Sequence, residues 1–542
     1  MTPKSWLKYP FYPLALALYP ALSLASVNQE LVSIRTLLPA LALSLLLALA
    51  LLVLLTRLIG SRSQAGLILA LGLVLFYSYG HVAMLIGAQF EPLLLLPMVW
   101  AALFIGGYRL ARRADRRFEQ VTMGLNVIGL VLVALPLLTL FRSSTAQNEA
   151  SSELEAPELV LRMPEPTRAD QRDIYIIVLD GYGRADTLRR IYDYDNGEFL
   201  GKLEEMGFFI ADGSFANYNQ TILSLPAMMN FNYLQQMDGP TDPGDFNFWA
   251  LVDLAHHSQA FALAERAGYE TVAFEGEHVV TAVREVDTFL TPPPAEGETP
   301  REEESPFHWS EAERFFWETT ALRPLLRVSA RLGPEDPELD QHRRQVRFAF
   351  SQLSERSLDP DPQFVYAHVL SPHPPFVFEP DGEPRRNDYP FTIADASHWV
   401  GRVGSRQEYI AGYRAQIEFV NQMVLQTVEA ILANAEQPPI ILIQGDHGPG
   451  SHFIWNSQEK SDVRERMAIL TAVYIPPELP ERNEVYAGQS PVNSMRLVFN
   501  AAFQLDLPLV ADRAYFSPRA TPFDFAEVTE LVSEPGGFDS EY

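Results

Sequence analysis

Apolar residues follow two different rhythms along this chain. Before Phe141 they come in long unbroken runs, roughly Tyr9–Val27, Thr36–Thr56, Ala65–Ile86, Leu93–Tyr108 and Val121–Phe141. A hydrocarbon core of ~30 Å takes about 20 helical residues to cross, so these runs predict five transmembrane helices, the fourth being the shortest. After Arg172 the runs shorten and alternate with amphipathic stretches. Strands are predicted at Asp173–Leu179, Phe208–Ala211, Glu270–Phe274, Gln363–Leu370, Ile440–Gln444 and Ala468–Ile475. Helices are predicted at Gly197–Met206, Thr221–Asn230, Leu251–Ala267, Gln341–Arg356, Gln407–Asn434 and Val492–Phe503. Strands alternating with helices imply an α/β domain with a mostly parallel sheet covered by helices on both faces.

The division into regions follows from the same pattern. Residues 1–141 are read as the membrane anchor, 142–172 as a Ser-, Glu- and Pro-rich linker, and 173–542 as one large domain. Lys4 and Lys8 precede the first run, Arg57 and Arg62 lie between the second and third, and five arginines from Arg109 to Arg117 precede the fifth. The other two loops show no basic excess, so the positive-inside rule puts the N-terminus in the cytoplasm and the large domain outside the inner (plasma) membrane. A cleaved signal peptide is the rival reading of the first run, because Ala21-Leu-Ser-Leu-Ala25 follows Lys-flanked apolar residues; the large domain stays outside on that reading too. Within the large domain, Pro292–Glu304 reads as an acidic, solvated excursion. Phe376–Arg406 is long and carries Pro, Gly and Asp, as loops that cover active sites often do.

Charge sharpens this division. Residues 1–141 hold ten Lys and Arg against four acids, and the remaining 31 basic and 64 acidic residues give the rest of the chain a net charge of −33. A domain that acidic repels nucleic acid, so any anion it handles must be met through a bound cation. The chain has no cysteine, which excludes disulfides, thiolate metal sites and cysteine nucleophiles.

Three segments carry candidate chemistry. Asp180 ends the buried run Ile174–Leu179 and is followed by Gly181, and ligands of open α/β sheets bind at such strand ends. Asp446 and His447 end the run Ile440–Gln444 between two glycines, offering a carboxylate and an imidazole to one ion. The plainer readings are a helix cap for Asp180 and a hydrogen-bonded turn for Asp446-His447. Asp186 is available as the cap instead. Thr221 opens a predicted helix, where backbone N–H groups and the dipole favour an anion. It reads as a nucleophile that needs a metal to stabilise its alkoxide, or else as an ordinary cap. Ser224 is its rival, about one turn deeper in the helix. Asn219-Gln-Thr221 also matches a glycosylation sequon, too short a pattern to weigh. His373 sits between prolines after the strand Gln363–Leu370, where it would bind the transferred anion or protonate a leaving oxygen; a turn histidine is the alternative. His368, inside that strand, reads as core, and His452 as a more distant neighbour of the site.

The ordered set Leu-Asp180-Gly, Thr221-x-x-Ser224-x-Pro226-x-Met228, Ser-Pro-His373-Pro and Gly-Asp446-His447-Gly resembles the alkaline phosphatase/sulfatase superfamily. Within it, the chain resembles membrane-anchored sulfatase-like transferases such as lipoteichoic acid synthase and lipid A phosphoethanolamine transferase. The resemblance implies that Asp180, Asp446 and His447 bind one divalent ion, manganese or zinc, with Thr221 as a fourth ligand and carrier of the covalent intermediate. It implies a metal-dependent envelope enzyme that moves a phosphoryl-linked headgroup, phosphoglycerol or phosphoethanolamine in class, from a phospholipid donor to an envelope glycan or lipid. Two alternatives stand beside it: a hydrolase of sulfate or phosphate esters, and a catalytically inactive membrane-tethered binding protein. Sulfatases proper need Cys or Ser-x-Pro-x-Arg for formylglycine, and here Ser224-Leu-Pro-Ala-Met228 lacks the arginine.

Overall fold

A computed structural model describes residues 9–27, 34, 36–86, 95–113, 118–149, 154, 156, 171–239, 241–242, 246–294, 311–332, 336–387 and 389–533. Contacts divide the chain into two units, one of residues 1–150 and 299–334 and the other of residues 151–298 and 335–542.

The first unit holds five helices in its N-terminal part: α1 (Tyr12–Val27), α2 (Leu38–Ile59), α3 (Arg62–Ile86), α4 (Leu95–Arg113) and α5 (Phe118–Glu149). Segments Leu38–Ile59, Arg62–Ala83 and Val121–Phe141 are each long and apolar enough to cross a membrane, while α1 is shorter at 16 residues. Arginines 112 and 113 close α4 in its last turn. Helix α5 runs on to Glu149, so the first part of the expected linker continues the helix; most of the rest of the linker, and most of the Pro292–Glu304 stretch, lie outside the described residues. Residues 299–334, expected inside the large domain, group instead with the helical unit.

The second unit is built on a seven-stranded sheet, comprising β1 (Ile174–Leu179), β2 (Phe209–Ile210), β3 (Glu270–Phe274), β4 (Thr288–Leu290), β5 (Gln363–Val369), β6 (Ile440–Gln444) and β7 (Thr471–Tyr474). Their spatial order is β2-β7-β6-β1-β5-β3-β4. The run β6-β1-β5-β3-β4 is parallel, and β7 runs antiparallel to both its neighbours, β6 and the edge strand β2. Strand β1 lies at the centre with all six side chains buried. Tyr175, Ile177 and Leu179 pack on one face with the helices Pro337–Arg356 and Arg406–Asn434. Ile174, Ile176 and Val178 pack on the other with Thr221–Met229, Phe248–His256 and Pro491–Phe503. A strand with two apolar faces needs cover on both sides, which is why the alternation rule fails here and an unbroken apolar run appears. The long helix Arg406–Asn434 starts at a capping box, Ser405 and Glu408 each closing the other's backbone N–H; such a box satisfies two donors the helix cannot. The expected helix Leu251–Ala267 is two helices, broken at His257-Ser258.

Asp173, just before β1, accepts a hydrogen bond from the Gln363 backbone N–H at 3.0 Å. Burial nevertheless pushes its carboxyl up to about 6. The unfolded chain releases this proton near pH ~3.9, so keeping the folded carboxylate ionised costs stability that grows between pH ~4 and ~6 and is constant above. Asp173→Asn is therefore expected to raise the melting temperature at pH 7.5, through a gain on the order of 1–3 kcal/mol, and to leave it unchanged at pH 4. A thermal melt at the two pH values checks both.

Candidate active site

Parallel neighbours end at the same level, and that brings the predicted residues together. Val178 of β1 is in register with Gln444 of β6 and with His368 of β5. Asp180 leaves β1 with its N–H donated to the Val369 carbonyl at 2.9 Å. Gly181 then turns with φ +72°, a conformation that costs residues with a Cβ, and its N–H meets Asp446 Oδ1 at 3.2 Å. His447 Nε2 lies 3.6 Å from Asp180 Oδ1 and 3.5 Å from Asp446 Oδ2. Each of Asp180, Asp446 and His447 offers a ligand atom within 4.8 Å of the others, and all three residues are buried.

Thr221 joins this cluster from the opposite element. Its Oγ1 is 3.1 Å from His447 Nε2. It is the first residue of the helix Thr221–Met229, whose cap is Gln220 and makes no side-chain capping bond, so the plain capping role is not realised. The approach to the helix is clamped from the C-terminal region: the Ser517 N–H donates to Asn219 Oδ1 at 2.7 Å, and Asn219 and Gln220 both donate to the Ser517 carbonyl at 3.0 Å. Ser224 is buried and donates to the Tyr218 carbonyl at 2.9 Å, facing away from the cluster. Asp186 pairs with Arg184 and Arg464, and Arg184 is the cap of the next helix; Asp180 is not a cap.

The electrostatics favour a cation. Burial, then the Asp446 carboxylate beside it, raises Asp180 well above the carboxylate range. Asp446 is also buried, yet His447, His368, Thr221 and the Gly181 N–H hold its carboxyl down. Asp180 Oδ1 and Asp446 Oδ2 have no hydrogen-bond partner within the protein, an arrangement that costs several kcal/mol unless a counter-charge is present (~3–5). The His447 Nδ1 faces the Gly448 carbonyl at 3.0 Å. That bond places the ring proton on Nδ1 and leaves Nε2 with its lone pair. Burial, and then the nearby Arg466, lowers the imidazole to about 3, so the ring is neutral at physiological pH.

Sequence reasoning missed the groups behind these four. Arg466 is fully buried; its Nη2 reaches His447 Nε2 at 3.0 Å, its Nε donates to the Asn219 carbonyl at 3.0 Å and its Nη1 to the Gly448 carbonyl at 3.1 Å. It also pairs with Asp395, and stands over the Trp455 ring at 4.9 Å. Asp395 accepts from Tyr409 at 2.6 Å and lies 3.8 Å from His373 Nε2. His373 is thus drawn into the site: its backbone N–H donates to the Asp180 carbonyl at 3.0 Å, and its ring centroid is 6.4 Å from that of His447. His368, expected as core, points Nε2 at Asp180 Oδ2 at 3.5 Å with no other partner for that nitrogen. His452 instead turns to Ser451 and Glu465. The segment Phe376–Arg406 is partly packed inward. Phe376, Phe378 and Trp399 are buried in the core beneath the sheet, and the segment's contribution to the site is Asp395.

A family profile described as Sulfatase matches residues 172–470, more than half of the chain, and its span contains all the residues named above except those of the C-terminal clamp. The chain belongs to the sulfatase family. This sulfatase-family enzyme is similar to the C-terminal periplasmic domain of EcEptC from Escherichia coli, solved in complex with Zn, at 10% identity over 69% of this chain and 96% of that one, TM-score 0.42. It is similar to the integral membrane lipooligosaccharide phosphoethanolamine transferase A of Neisseria meningitidis at 12% identity, covering 92% and 95%, TM-score 0.39. It is also similar to the phosphonate monoester hydrolase of Agrobacterium radiobacter at 13% identity, covering 64% and 80%, TM-score 0.36. A search of curated proteins gives no match.

In this sulfatase-family site the donor set fits a metal. Two buried carboxylates with unpartnered oxygens, one neutral imidazole nitrogen and one hydroxyl converge, the oxygen-rich, single-nitrogen set that a hard or borderline divalent ion takes.

Proposed function

We propose that this protein is an envelope transferase whose Thr221 accepts a phosphoryl-linked headgroup from a phospholipid and passes it to a glycan or lipid hydroxyl. The observation that carries the proposal is the Thr221 hydroxyl at 3.1 Å from His447 Nε2, at the mouth of a helix and beside two buried carboxylates. The chain has no cysteine, and Ser224 faces the Tyr218 carbonyl, so a plain threonine hydroxyl stands in the nucleophile position. The apolar helices of the first unit supply the second support, since an enzyme with a lipid donor gains from being held at the bilayer. On this reading residues 1–141 anchor, the N-terminus is cytoplasmic, and residues 173–542 carry the chemistry outside the inner (plasma) membrane.

Asp180, Asp446, His447 and Thr221 would hold one manganese or zinc ion, which would lower the hydroxyl pKa and offset charge on the phosphoryl oxygens. The rest is the protein's own work. Thr221 Oγ loses its proton and bonds to phosphorus, the bond from phosphorus to the diacylglycerol oxygen breaks, and that oxygen takes up a proton. An acceptor hydroxyl then loses its proton, attacks the phospho-threonine and restores the Thr221 hydroxyl. His373, held by the Asp180 carbonyl and beside Asp395, is placed to carry the proton for the oxygen that leaves or enters. Arg466, buried behind His447 and paired with Asp395, would add positive potential behind the phosphoryl oxygens.

The test is to incubate purified full-length protein with phosphatidylglycerol or phosphatidylethanolamine labelled in the headgroup. Release of diacylglycerol, label retained on the protein, and loss of both on chelation with return on adding manganese or zinc are expected. Free headgroup phosphate formed at the same rate with and without an acceptor would make water the acceptor and the protein an ester hydrolase. No turnover and no shift in melting temperature on chelation would leave only a tethered binding protein.

A further inference from the structure

Residues 299–334 leave the catalytic unit and fold with the membrane helices. Their described part is a pair of helices, Glu311–Glu318 and Arg323–Leu332. Phe316 is 1% and Trp317 6% exposed, and both lie in one apolar cluster with Ala21, Leu22 and Ala25 of α1, Leu37, Ala40 and Leu41 around the start of α2, and Tyr77 of α3. The docking is also made by backbone: the Gly80 N–H donates to the Thr319 carbonyl at 2.9 Å, and the Ala321 N–H to the Phe76 carbonyl at 2.8 Å. At Gly80 the two segments come into close contact. A Cβ there would stand 2.3 Å from the Glu318 carbonyl oxygen and 2.4 Å from the Thr319 carbonyl carbon, so no other residue fits without parting them.

The contacted parts are the C-terminal half of α1, the start of α2 and the C-terminal half of α3. These are the ends that the alternation of basic loops puts on the outer side of the membrane, the side on which the catalytic unit is placed. The second helix of the pair, Arg-Pro-Leu-Leu-Arg-Val-Ser-Ala-Arg-Leu, carries three arginines and no acid although residues 142–542 together have a net charge of −33; Arg323 is buried and lies 3.7 Å from Glu318. Phe315, Leu325 and Val328 are exposed, Leu325 at 66%. Exposed apolar residues on a basic amphipathic helix at the end of a membrane bundle have the character of an interfacial segment.

We propose that the helix pair Glu311–Leu332 is a second membrane anchor, docked through Phe316, Trp317 and Thr319 on the outer ends of α1–α3, with Leu325 and Val328 set among the lipid headgroups. The catalytic unit is then tied to the membrane from its interior as well as from its N-terminal end, and the chain between α5 and β1 is not its sole tether. The proposal rests on the outward orientation given above and concerns placement, not chemistry.

A sequence-specific protease site inserted after Ala150 in the full-length protein, reconstituted in anionic vesicles and cut from outside, tests it. The fragment after the cut is expected to stay with the sedimenting vesicles through washing at physiological salt. Gly80→Leu and Trp317→Asp, each in the same background, are expected to raise the released fraction at least about tenfold, and Leu325→Asp to raise it by a smaller factor. The melting curve of each released fragment, with and without manganese, reports that the catalytic unit itself is still folded. Release of the unaltered fragment on cutting overturns the proposal, as does equal retention of Gly80→Leu and Trp317→Asp. If the uncut protein fails to sediment with vesicles, it is the membrane-anchor reading that falls instead.

Discussion

Thr221→Ala is expected to lower the rate of headgroup transfer by at least about 10^3-fold, leave no label on the protein, and change stability little. The hydroxyl is the group at the cluster proposed to form the covalent bond. Ser224, the nearest alternative, spends its proton on the Tyr218 carbonyl just before the helix. Removing one hydroxyl and one methyl from a partly buried first-turn position deletes little apolar contact, and because Gln220 is the helix cap, no capping bond is lost. At 1.36 kcal/mol per decade, the kinetic loss corresponds to ~4 kcal/mol of transition-state stabilisation. Cation-dependent melting is expected to persist, because Asp180, Asp446 and His447 remain. Thr221→Ser keeps the hydroxyl but frees it to rotate, and is expected to retain label on the protein at a reduced rate. Quenched reactions followed for both released diacylglycerol and protein-bound label separate the two variants. Wild-type turnover in Thr221→Ala would remove the threonine from the mechanism.

The parts of this site that could be read along the chain were those tied to strand ends. Asp180 and Asp446-His447 each close an unbroken apolar run, and such runs are the central strands of a parallel sheet, where neighbours end at one level. Thr221 was legible because a helix start is marked in sequence by its apolar periodicity. Arg466 was not. It lies in Val463-Arg-Glu-Arg-Met467, a charged stretch that resembles any solvated turn, and its burial depends on Asp395, some seventy residues earlier, and on Phe453 and Trp455. A residue whose role is made by distant partners leaves no local pattern. His368 was misread for a related reason. A histidine on a buried strand face is normally core, and only the pairing of Val178 with His368 shows that this position abuts Asp180. In the Phe376–Arg406 segment the five large aromatics, Phe376, Phe378, Tyr389, Phe391 and Trp399, already carried the signal that much of it would pack inward. The helix pair after Thr299 hid behind its Pro- and Glu-rich approach, where Phe315-Phe316-Trp317 was the one clear apolar mark.

Arg466 should also be the position at which stability and catalysis part company most clearly. Its guanidinium joins Asp395, the Asn219 carbonyl next to the nucleophile helix, the Gly448 carbonyl and His447 Nε2. Arg466→Met is expected to cost about 3–5 kcal/mol of stability, because Asp395 would be left as a buried charge without its partner. Burial alone would raise the Asp395 carboxyl, and Arg466 instead holds it below the usual range. A depressed folded-state value contributes stability above the unfolded value of ~3.9 that is lost as pH falls below it. The Arg466→Met penalty should therefore be full at neutral pH and shrink in acid, where Asp395 takes up its proton. In Arg466→Met with Asp395→Asn the uncompensated charge is gone, and the melting temperature at pH 7 is expected to recover most of the loss. Turnover is not expected to recover with it. The charge proposed to stand behind the phosphoryl oxygens is absent in both variants, and removal of such electrostatic donors elsewhere costs about 10^2–10^3 in kcat. Arg466→Lys keeps a charge but cannot span four acceptors with a planar fork, and belongs between the two. Melting curves from pH ~2 to ~8, spanning the unfolded value of ~3.9, beside transfer rates for the three variants check the separation. If the double variant regains turnover along with stability, Arg466 acts only as a brace for Asp395 and the phosphoryl oxygens find their charge elsewhere.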